Sequence, residues 1–526
     1  MASARGGDGV GTRRSGDRYD RHRSGFKKKS LPTLSSRKIL YNRPRERGAV
    51  AWHSDETCPL NKQHTSADAD LLPLAREASE DFFRPIENSD MRIDHLRVKN
   101  FRGFAERDFS FHENFNVLIG QNATGKTAAL EALRVAVGSW FLGVQARYGK
   151  AISEDDVRLE GFTHESTGEH TFEKQYPVEV KATGTLPERK YPVTWSRSIN
   201  REGGNTTQKD AQSLTRVAEK KDEQVRDGKE VTLPVLAYYG TDRLHHPEPR
   251  RENGSEKEDL SRFVGYRKCL DGRINVKHLE SWMERQEWIA FQENKSSLLD
   301  RLVREAIASM IPNVETVRYN PRRASVLAIY EDGTILPLKH LSDGYRTMLA
   351  LVGDLASRMA RLNPHLGEGT LTRTPGIVLI DELDLHLHPA WQRRVIEDLA
   401  DTFQRVQFIS TTHSPQIISE VETGKTLVLE QDTSGIRVKE EESYGLDSNW
   451  VLQHIMEVSP RPQKIERLIN KVEKAIAQEE YERAKKHLNA ARREAKRTSG
   501  TMTRLQAKLD TLEMISDDEE NSQAGE

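Results

Sequence analysis

The stretch GQNATGKT, residues 120–127, matches the pattern G-x-x-x-x-G-K-[ST] and decides the fold. It follows the apolar run FNVLI, residues 115–119, which is typical of a buried strand, and a helical pattern begins at Lys126. In this context the glycines let the backbone wrap a phosphate, Lys126 reaches the outer phosphates, and the Thr127 hydroxyl can bind Mg²⁺. The sequence therefore predicts a nucleotide-binding loop made of Gly120, Gln121, Asn122, Ala123, Thr124, Gly125, Lys126 and Thr127.

The chain around this loop has 526 residues and a net charge of −1, but its charge is unevenly distributed. Residues 1–50 hold 14 Lys and Arg against 4 Asp and Glu. This head is rich in Arg, Gly and Ser, so we expect residues 1–90 to be a basic, disordered extension. It could attract nucleic acid or an acidic partner, or it could be no more than a solvated tail.

The cysteine content and the hydropathy of the sequence argue against several classes of protein. Cys58 and Cys269 are the two cysteines, which argues against a disulfide framework or a zinc site and suits a reducing compartment. No apolar run approaches the roughly 18 residues that a membrane span needs. We therefore expect a cytoplasmic protein with no membrane partner.

Strand patterns alternate with helical patterns from Met91 onward, which predicts an α/β fold. We expect one ATPase domain over residues 91–448, with helical and β insertions at about residues 140–335. Three apolar stripes at helical spacing predict a small helical region over residues 449–515, followed by an acidic tail at 516–526.

A second apolar strand, in IVLIDELD at residues 377–384, ends in carboxylates. Delivered beside bound phosphates, Asp381 could hold Mg²⁺ and Glu382 could polarise the attacking water. The alternative is an ordinary solvated strand end. Because the phosphate-binding loop is present, we favour the functional interpretation.

Two further segments carry histidines. His413 ends the strand of FISTTHSP, where it could hydrogen-bond the terminal phosphate or the attacking water. His386 and His388 in LDLHLHP lack a third metal ligand nearby, so packing or a subunit contact is the better explanation for them.

The segment KHLSDGYR, residues 339–346, precedes an amphipathic helical pattern. Alone, Ser342 and Asp343 predict an ordinary N-cap. In their position between the phosphate-binding loop and the acidic strand they instead resemble the signature motif of ABC-type ATPases, and this resemblance implies that Ser342, Asp343 and Gly344 serve the nucleotide of a neighbouring subunit.

Taken together, the phosphate-binding loop, LSDG, LIDELDLHLHP and TTHSP resemble the ABC-like branch of P-loop ATPases over about residues 91–440. The resemblance implies an ABC-type P-loop ATPase with a mixed central sheet, antiparallel β and helical insertions, and a small C-terminal helical bundle. It implies ATP and Mg²⁺ as ligands, Thr127 and Asp381 as metal ligands, Glu382 as general base and His413 as switch histidine. The usual Q-loop glutamine is not evident, and Asp242 in YYGTDRL is a candidate replacement.

Within that branch, LPVLAYYGTDRL and YRKCLDGRINVKHLESWMERQE resemble the bacterial defence ATPases. YGLDSNWVLQHIMEVSPRP, followed by short helices, resembles the PtuA-like ATPases of the Septu and retron antiphage systems. The resemblance implies a homodimer or higher oligomer and a separate HNH nuclease, PtuB-like, as partner, because we find no Toprim nuclease motif after residue 440. Nucleic acid, as DNA or as the RNA and DNA of a retron, is a further candidate partner. A stand-alone, RecF/Rad50-like DNA-repair ATPase is the alternative, and a transporter subunit fits least well.

Overall fold

The computed structural model describes residues 90–144, 149–244, 261–274, 276–295, 297–422, 424–432 and 435–523. Except for Asp90, the expected basic extension at residues 1–90 lies outside these residues, as does Cys58.

The strands run in the order β1 Arg92–Phe101, β2 Phe104–Ser110, β3 Phe115–Gly120, β4 Leu159–Thr163, β5 His170–Lys174, β6 Val178–Thr185, β7 Val193–Ile199, β8 Val235–Tyr239, β9 Val314–Asn320, β10 Ser325–Tyr330, β11 Ile335–Pro337, β12 Gly376–Ile380, β13 Val406–Thr411, β14 Gly424–Asp432 and β15 Gly435–Glu441.

The helices are α1 Lys126–Gly138, α2 Gln212–Arg226, α3 Val276–Glu293, α4 Leu298–Met310, α5 Asp343–Leu362, α6 Thr370–Arg373, α7 Pro389–Gln392, α8 Val395–Thr402, α9 Pro415–Ile418, α10 Ser448–Trp450, α11 Gln463–Ala477, α12 Tyr481–Ala495 and α13 Gly500–Gln523.

A six-stranded sheet with the order β15-β14-β3-β13-β12-β8 forms the centre of the fold. Its five strands from β14 to β8 are parallel, and β15 pairs antiparallel at the edge. Strands β8, β12 and β13 are buried along their whole length, as expected for parallel strands covered on both faces. The carboxyl ends of β3, β13 and β12 therefore meet at one edge, and the predicted mixed α/β sheet is confirmed.

A second sheet, with the order β2-β1-β6-β7, is antiparallel. Helix α1 packs against both sheets, and the Trp195 indole on β7 donates a 3.0 Å hydrogen bond to the Ala136 carbonyl on α1. The span at about residues 140–335, expected as an insertion, thus contributes β6 and β7 to this sheet and β8 to the central one. The polar stretch after β7 contains α2, which buries Leu214, Val217 and Ala218.

A three-stranded sheet, β11-β10-β9, leads into α5. The expected hairpin turn at Asp332 and Gly333 is present: the Asp332 carboxylate accepts a hydrogen bond from the Thr334 backbone N–H, and Gly333 has a φ of +81°. Helices α3 and α4 pack against β9 and α5, so the helical segment and the hairpin support the long helix that follows the signature segment.

The C-terminal helices α11, α12 and α13 form an apolar cluster separate from the main core. Val472, Leu488 and Leu509 are fully buried in it, one from each of the three predicted stripes. Helix α13 continues to Gln523, into the segment expected as an acidic tail. Among the helices that the structure describes, none combines the length and the apolar character needed to cross a bilayer.

Candidate functional site

The phosphate-binding loop connects the buried strand β3 to α1 and has a tightly constrained backbone. A Cβ at Gly120 would lie 2.3 Å from the Leu429 carbonyl oxygen, and Gly125 has a φ of +90°. Both positions therefore require glycine. Gln121, Asn122 and Ala123 form the exposed tip of the loop, while the buried Thr124 donates a 2.9 Å hydrogen bond to the Gln121 carbonyl.

The side chain of Lys126 bonds back to the start of this loop. Its ammonium donates to the carbonyls of Gly120, at 2.9 Å, and Gln121, at 2.8 Å. Burial lowers the pKa of Lys126, while the carboxylates of Asp381 and Glu382 act in the opposite direction. The charge is thus held at the loop by carbonyls and nearby carboxylates, where it can neutralise phosphate oxygens.

Asp381 follows the end of β12 and meets both the loop and the neighbouring strand. The Thr127 hydroxyl donates to its Oδ2 at 3.0 Å, and the Thr411 hydroxyl donates to its Oδ1 at 2.6 Å. The Asp381 backbone N–H also donates to the Tyr239 carbonyl at the end of β8. A carboxylate and a hydroxyl therefore converge where the sequence predicts the metal ligands, and oxygen donors of this kind suit Mg²⁺.

Glu382 is half-buried and has a φ of +51°, in the left-handed region that costs a non-glycine residue roughly 1–2 kcal/mol. Its backbone N–H donates to the Thr411 hydroxyl at 2.7 Å. Thr411 thus holds the side chain of Asp381 and the backbone of Glu382 at once. Sequence reasoning missed Thr411, although it lies in the STTHSP stretch that carries His413.

Asp384 anchors the segment that carries His413. Its Oδ1 accepts a 2.6 Å hydrogen bond from the Thr412 hydroxyl and a 3.2 Å bond from the His413 backbone N–H. The acidic segment after β12 is therefore tied directly to the end of β13, and His413 is half-buried beside it. His388 makes a different contact: its imidazole accepts from the Ala390 N–H and caps α7.

Ser342 is the N-cap residue of α5, as the sequence predicted, but its side chain makes no capping hydrogen bond. Its hydroxyl is exposed, and only its backbone carbonyl serves the helix, accepting from the Arg346 N–H at 2.9 Å. The exposed Asp343 forms an ion pair with Arg346 at 3.1 Å.

The rest of the signature segment packs on the loop after β12. A Cβ at Gly344 would lie 2.5 Å from the His386 carbonyl oxygen, and Tyr345 packs edge-to-face on Trp391. The structure thus brings Lys126, Thr127, Asp381, Glu382 and His413 to one edge of the central sheet. The signature segment is held by its own helix and by the His386 loop.

The family model described as "AAA domain, putative AbiEii toxin, Type IV TA system" matches residues 115–419, more than half of the chain. The chain belongs to this AAA-domain family. The match begins at the first residue of β3 and ends just after α9, so it contains every residue of the site described above. The chain is accordingly a nucleotide-binding ATPase.

Two relatives of this AAA-domain chain align over most of its length. "Retron Ec83 probable ATPase" of Escherichia coli is 26% identical, over 77% of this chain and 84% of that protein. "Retron Vc95 probable ATPase" of Vibrio cholerae is 24% identical, over 69% and 79%. "Septu protein PtuA" of Bacillus mycoides is 39% identical over 92 residues, 18% of this chain and 12% of that protein. The resemblance to retron and Septu ATPases is confirmed.

Among solved structures, an SMC head bound to the C-winged helix domain of ScpA has a TM-score of 0.41 and 15% identity to this AAA-domain chain, over 67% of it and 98% of that chain.

Arg243 is a residue of the site that the sequence did not single out. It lies in YYGTDRL, where Asp242 was the candidate Q-loop replacement, but the Asp242 carboxylate is half-exposed and pairs with Arg273 at 2.7 Å. Arg243 is 1% exposed and donates to the carbonyls of Asp381 and Glu382. The signal available in the sequence was a cation four residues after a buried strand.

Proposed function

We propose that this chain is the ATP-binding and ATP-hydrolysing subunit of an antiphage defence complex. In this proposal, it regulates a separate HNH nuclease through a dimer that sandwiches ATP. The observation that carries the catalytic part is the pair of hydrogen bonds from Thr127 and Thr411 to Asp381. The defence role is supported by the retron and Septu names of the relatives.

In the proposed reaction, the loop N–H groups and the Lys126 ammonium bind the β- and γ-phosphates of ATP. Thr127 and Asp381 would hold Mg²⁺, which neutralises charge on the transferring phosphoryl group. Glu382 orients the attacking water and accepts its proton, and His413 donates a hydrogen bond to the γ-phosphate from the neighbouring strand end. Each role falls to a residue at the same sheet edge.

The proposed dimer completes each site with the signature segment of the partner subunit. The Ser342 hydroxyl is exposed and makes no bond to its own helix, so it can donate to a γ-phosphate outside this subunit. Helix α5 behind it is 20 residues long, and its N-terminal N–H groups favour an anion at the same point. ATP would hold the two subunits together, and its hydrolysis would loosen them.

The partner nuclease is proposed from the resemblance to PtuA, which we expect to act with an HNH protein. Affinity purification of the tagged chain from its native host tests this part. We expect an HNH nuclease to co-purify in a nucleotide-dependent manner. A stand-alone chain that binds naked duplex DNA with a steep salt dependence would instead favour the DNA-repair alternative.

The catalytic part is tested by Glu382→Gln. This substitution removes the general base but keeps the size of the side chain, so ATP turnover should fall by about 100-fold or more while ATP still binds. We expect the variant to accumulate as a nucleotide-bound dimer, measured by light scattering with ATP and Mg²⁺. Glu368→Gln, at an exposed surface ion pair with Arg301, is the matched control. Normal turnover of Glu382→Gln would overturn the assignment.

A further inference from the structure

Arg243 is a cation buried at the catalytic edge, and none of its hydrogen bonds within the described part of the chain goes to a carboxylate. One terminal nitrogen, Nη1, donates to the carbonyls of Gly240, at 3.1 Å, and Asp381, at 2.8 Å. The other, Nη2, donates to the Glu382 carbonyl at 2.9 Å. All three acceptors are backbone oxygens, and Nε has no hydrogen-bond partner among the residues that the structure describes. The guanidinium therefore holds the main chain in place at these three carbonyls.

The backbone of the loop that carries Arg243 is itself held by hydrogen bonds to a second segment of chain. Its carbonyl accepts from the Ile274 N–H at 2.9 Å, and the Gly240 N–H donates to the Gly272 carbonyl at 2.8 Å. The loop after β8 is thus hydrogen-bonded to residues 272–274, and the Arg243 side chain connects this loop to the turn after β12. The Arg243 side chain therefore extends from a loop whose own backbone is held by hydrogen bonds.

The carbonyls that Arg243 holds belong to the turn where β12 ends. Glu382 adopts its left-handed backbone there, a conformation that persists only where the surroundings impose it. The Glu382 N–H is held by Thr411 and its carbonyl by Arg243, so both backbone polar groups of this residue are fixed. The direction in which its side chain leaves the backbone is set by these two bonds.

The electrostatics are consistent with this arrangement. Burial lowers the pKa of Arg243 to about 10, against the opposing effect of the carboxylates of Glu382, Asp381 and Asp384. The guanidinium stays protonated at neutral pH, and the three nearby carboxylates favour its charged form.

We propose that Arg243 is a positioning residue for ATP hydrolysis, which orients Glu382 by holding the backbone carbonyls of Asp381 and Glu382. The inference deepens the proposed function and rests on Glu382 acting as the general base. Arg243 makes its three hydrogen bonds outside residues 120–127, so it acts on turnover and leaves nucleotide binding to the phosphate-binding loop.

The experiment compares kcat with the affinity for a slowly hydrolysed ATP analogue. For Arg243→Ala we expect kcat to fall about 100-fold, because a misplaced general base loses the productive geometry, with analogue affinity changed by less than about threefold. Free guanidinium chloride, below denaturing concentration, should restore part of kcat, whereas urea, which has the same shape but no charge, should not.

Arg262→Ala is the matched control. Arg262 also clamps two backbone carbonyls, those of Leu362 and Val231, but they lie away from the catalytic carboxylates. The kcat of Arg262→Ala should not respond to guanidinium. A response equal to that of Arg243→Ala would overturn the proposal, because the rescue would then be unspecific.

Arg243→Lys keeps the inference testable if the alanine variant does not fold. It retains a buried cation with fewer donors, so we expect a reduced kcat with unchanged analogue affinity. A wild-type kcat in either Arg243 variant would overturn the inference, as would a loss of analogue affinity as large as the loss of kcat.

Glu382→Gln is measured alongside the Arg243 variants. If Glu382→Gln is inactive while Arg243→Ala is fully active, the positioning role fails and the proposed function stands. If Glu382→Gln turns over normally, both fail.

Discussion

The hydroxyl of Thr127 lies 3.0 Å from Oδ2 of Asp381, although the two residues are 254 positions apart in the chain. Thr127 is the second residue of α1, the helix after β3, and Asp381 follows the end of β12. The second carboxylate oxygen of Asp381 is held by Thr411 from the strand between them. Three chain segments thus fix a single carboxylate beside the phosphate-binding loop.

The Mg²⁺ dependence of ATP turnover should weaken when this pair is broken. Asp381→Asn removes the charge of the proposed ligand, and Thr127→Ala removes its oxygen neighbour. We expect the Mg²⁺ concentration for half-maximal activity to rise by about 10- to 100-fold in each variant. Thr127→Ser keeps the hydroxyl and is the matched control, with a nearly normal requirement. An unchanged requirement in Asp381→Asn would remove Asp381 from the metal site.

Mixing two inactive variants should restore activity if Ser342 acts on the partner's nucleotide. Ser342→Ala and Lys126→Ala each impair both sites of a homodimer. In a mixed dimer, one site has an intact lysine and an intact serine, and the other has neither. Random assembly of equal amounts should give about one quarter of the wild-type activity, measured on co-expressed, differently tagged chains. Activity equal to the mean of the separate variants would contradict a shared site.

Asp384 and His413 should behave as one unit in a double-mutant cycle. Asp384→Ala removes the acceptor that holds the Thr412 hydroxyl and the His413 N–H, so we expect ATP turnover to fall by roughly tenfold with little change in ATP affinity. If Asp384 acts by placing His413, the double variant with His413→Ala should be no slower than His413→Ala alone. Additive losses would show that the two residues act independently.

The C-terminal helices should lose stability without loss of ATP turnover. Leu488 is fully buried in the α11–α13 cluster, which is separate from the core around the site. Leu488→Ala should cost about 2–5 kcal/mol in that cluster, seen as an earlier thermal transition, because it leaves a cavity. Asn489→Ala, at the exposed neighbouring position on α12, is the control. A parallel loss of turnover would show that the cluster supports the ATPase domain.

Much of the catalytic edge could be predicted because each motif is read locally. A glycine-rich loop between a buried strand and a helix, or a carboxylate pair after an apolar run, depends on residues that are neighbours in the chain. The same reasoning predicted Ser342 as the N-cap of α5, and the position is right, but the capping hydrogen bond from its side chain is absent. In the first turn, Asp343 instead forms an ion pair with Arg346.

The contacts made by Arg243, Thr411 and Asp384 could not be predicted, because their partners are fixed only by the order of strands in the sheet. Arg243 bonds to residues 138 and 139 positions away, and Thr411 to one 30 positions away. Hydrogen bonds of this range depend on which strands lie side by side, and no periodicity in the chain encodes that.

By itself, the sequence determined the phosphate-binding loop, the buried strands that carry it and the acidic residues, and the three apolar stripes of the C-terminal helices, since these follow from local spacing and polarity. Only the tertiary structure decided that β3, β13 and β12 lie together, that Glu382 takes a left-handed backbone, and that a buried arginine holds the turn. These features depend on which strands pair side by side: β13 lies between β3 and β12, and β8 beside β12 places the Arg243 loop against the catalytic edge.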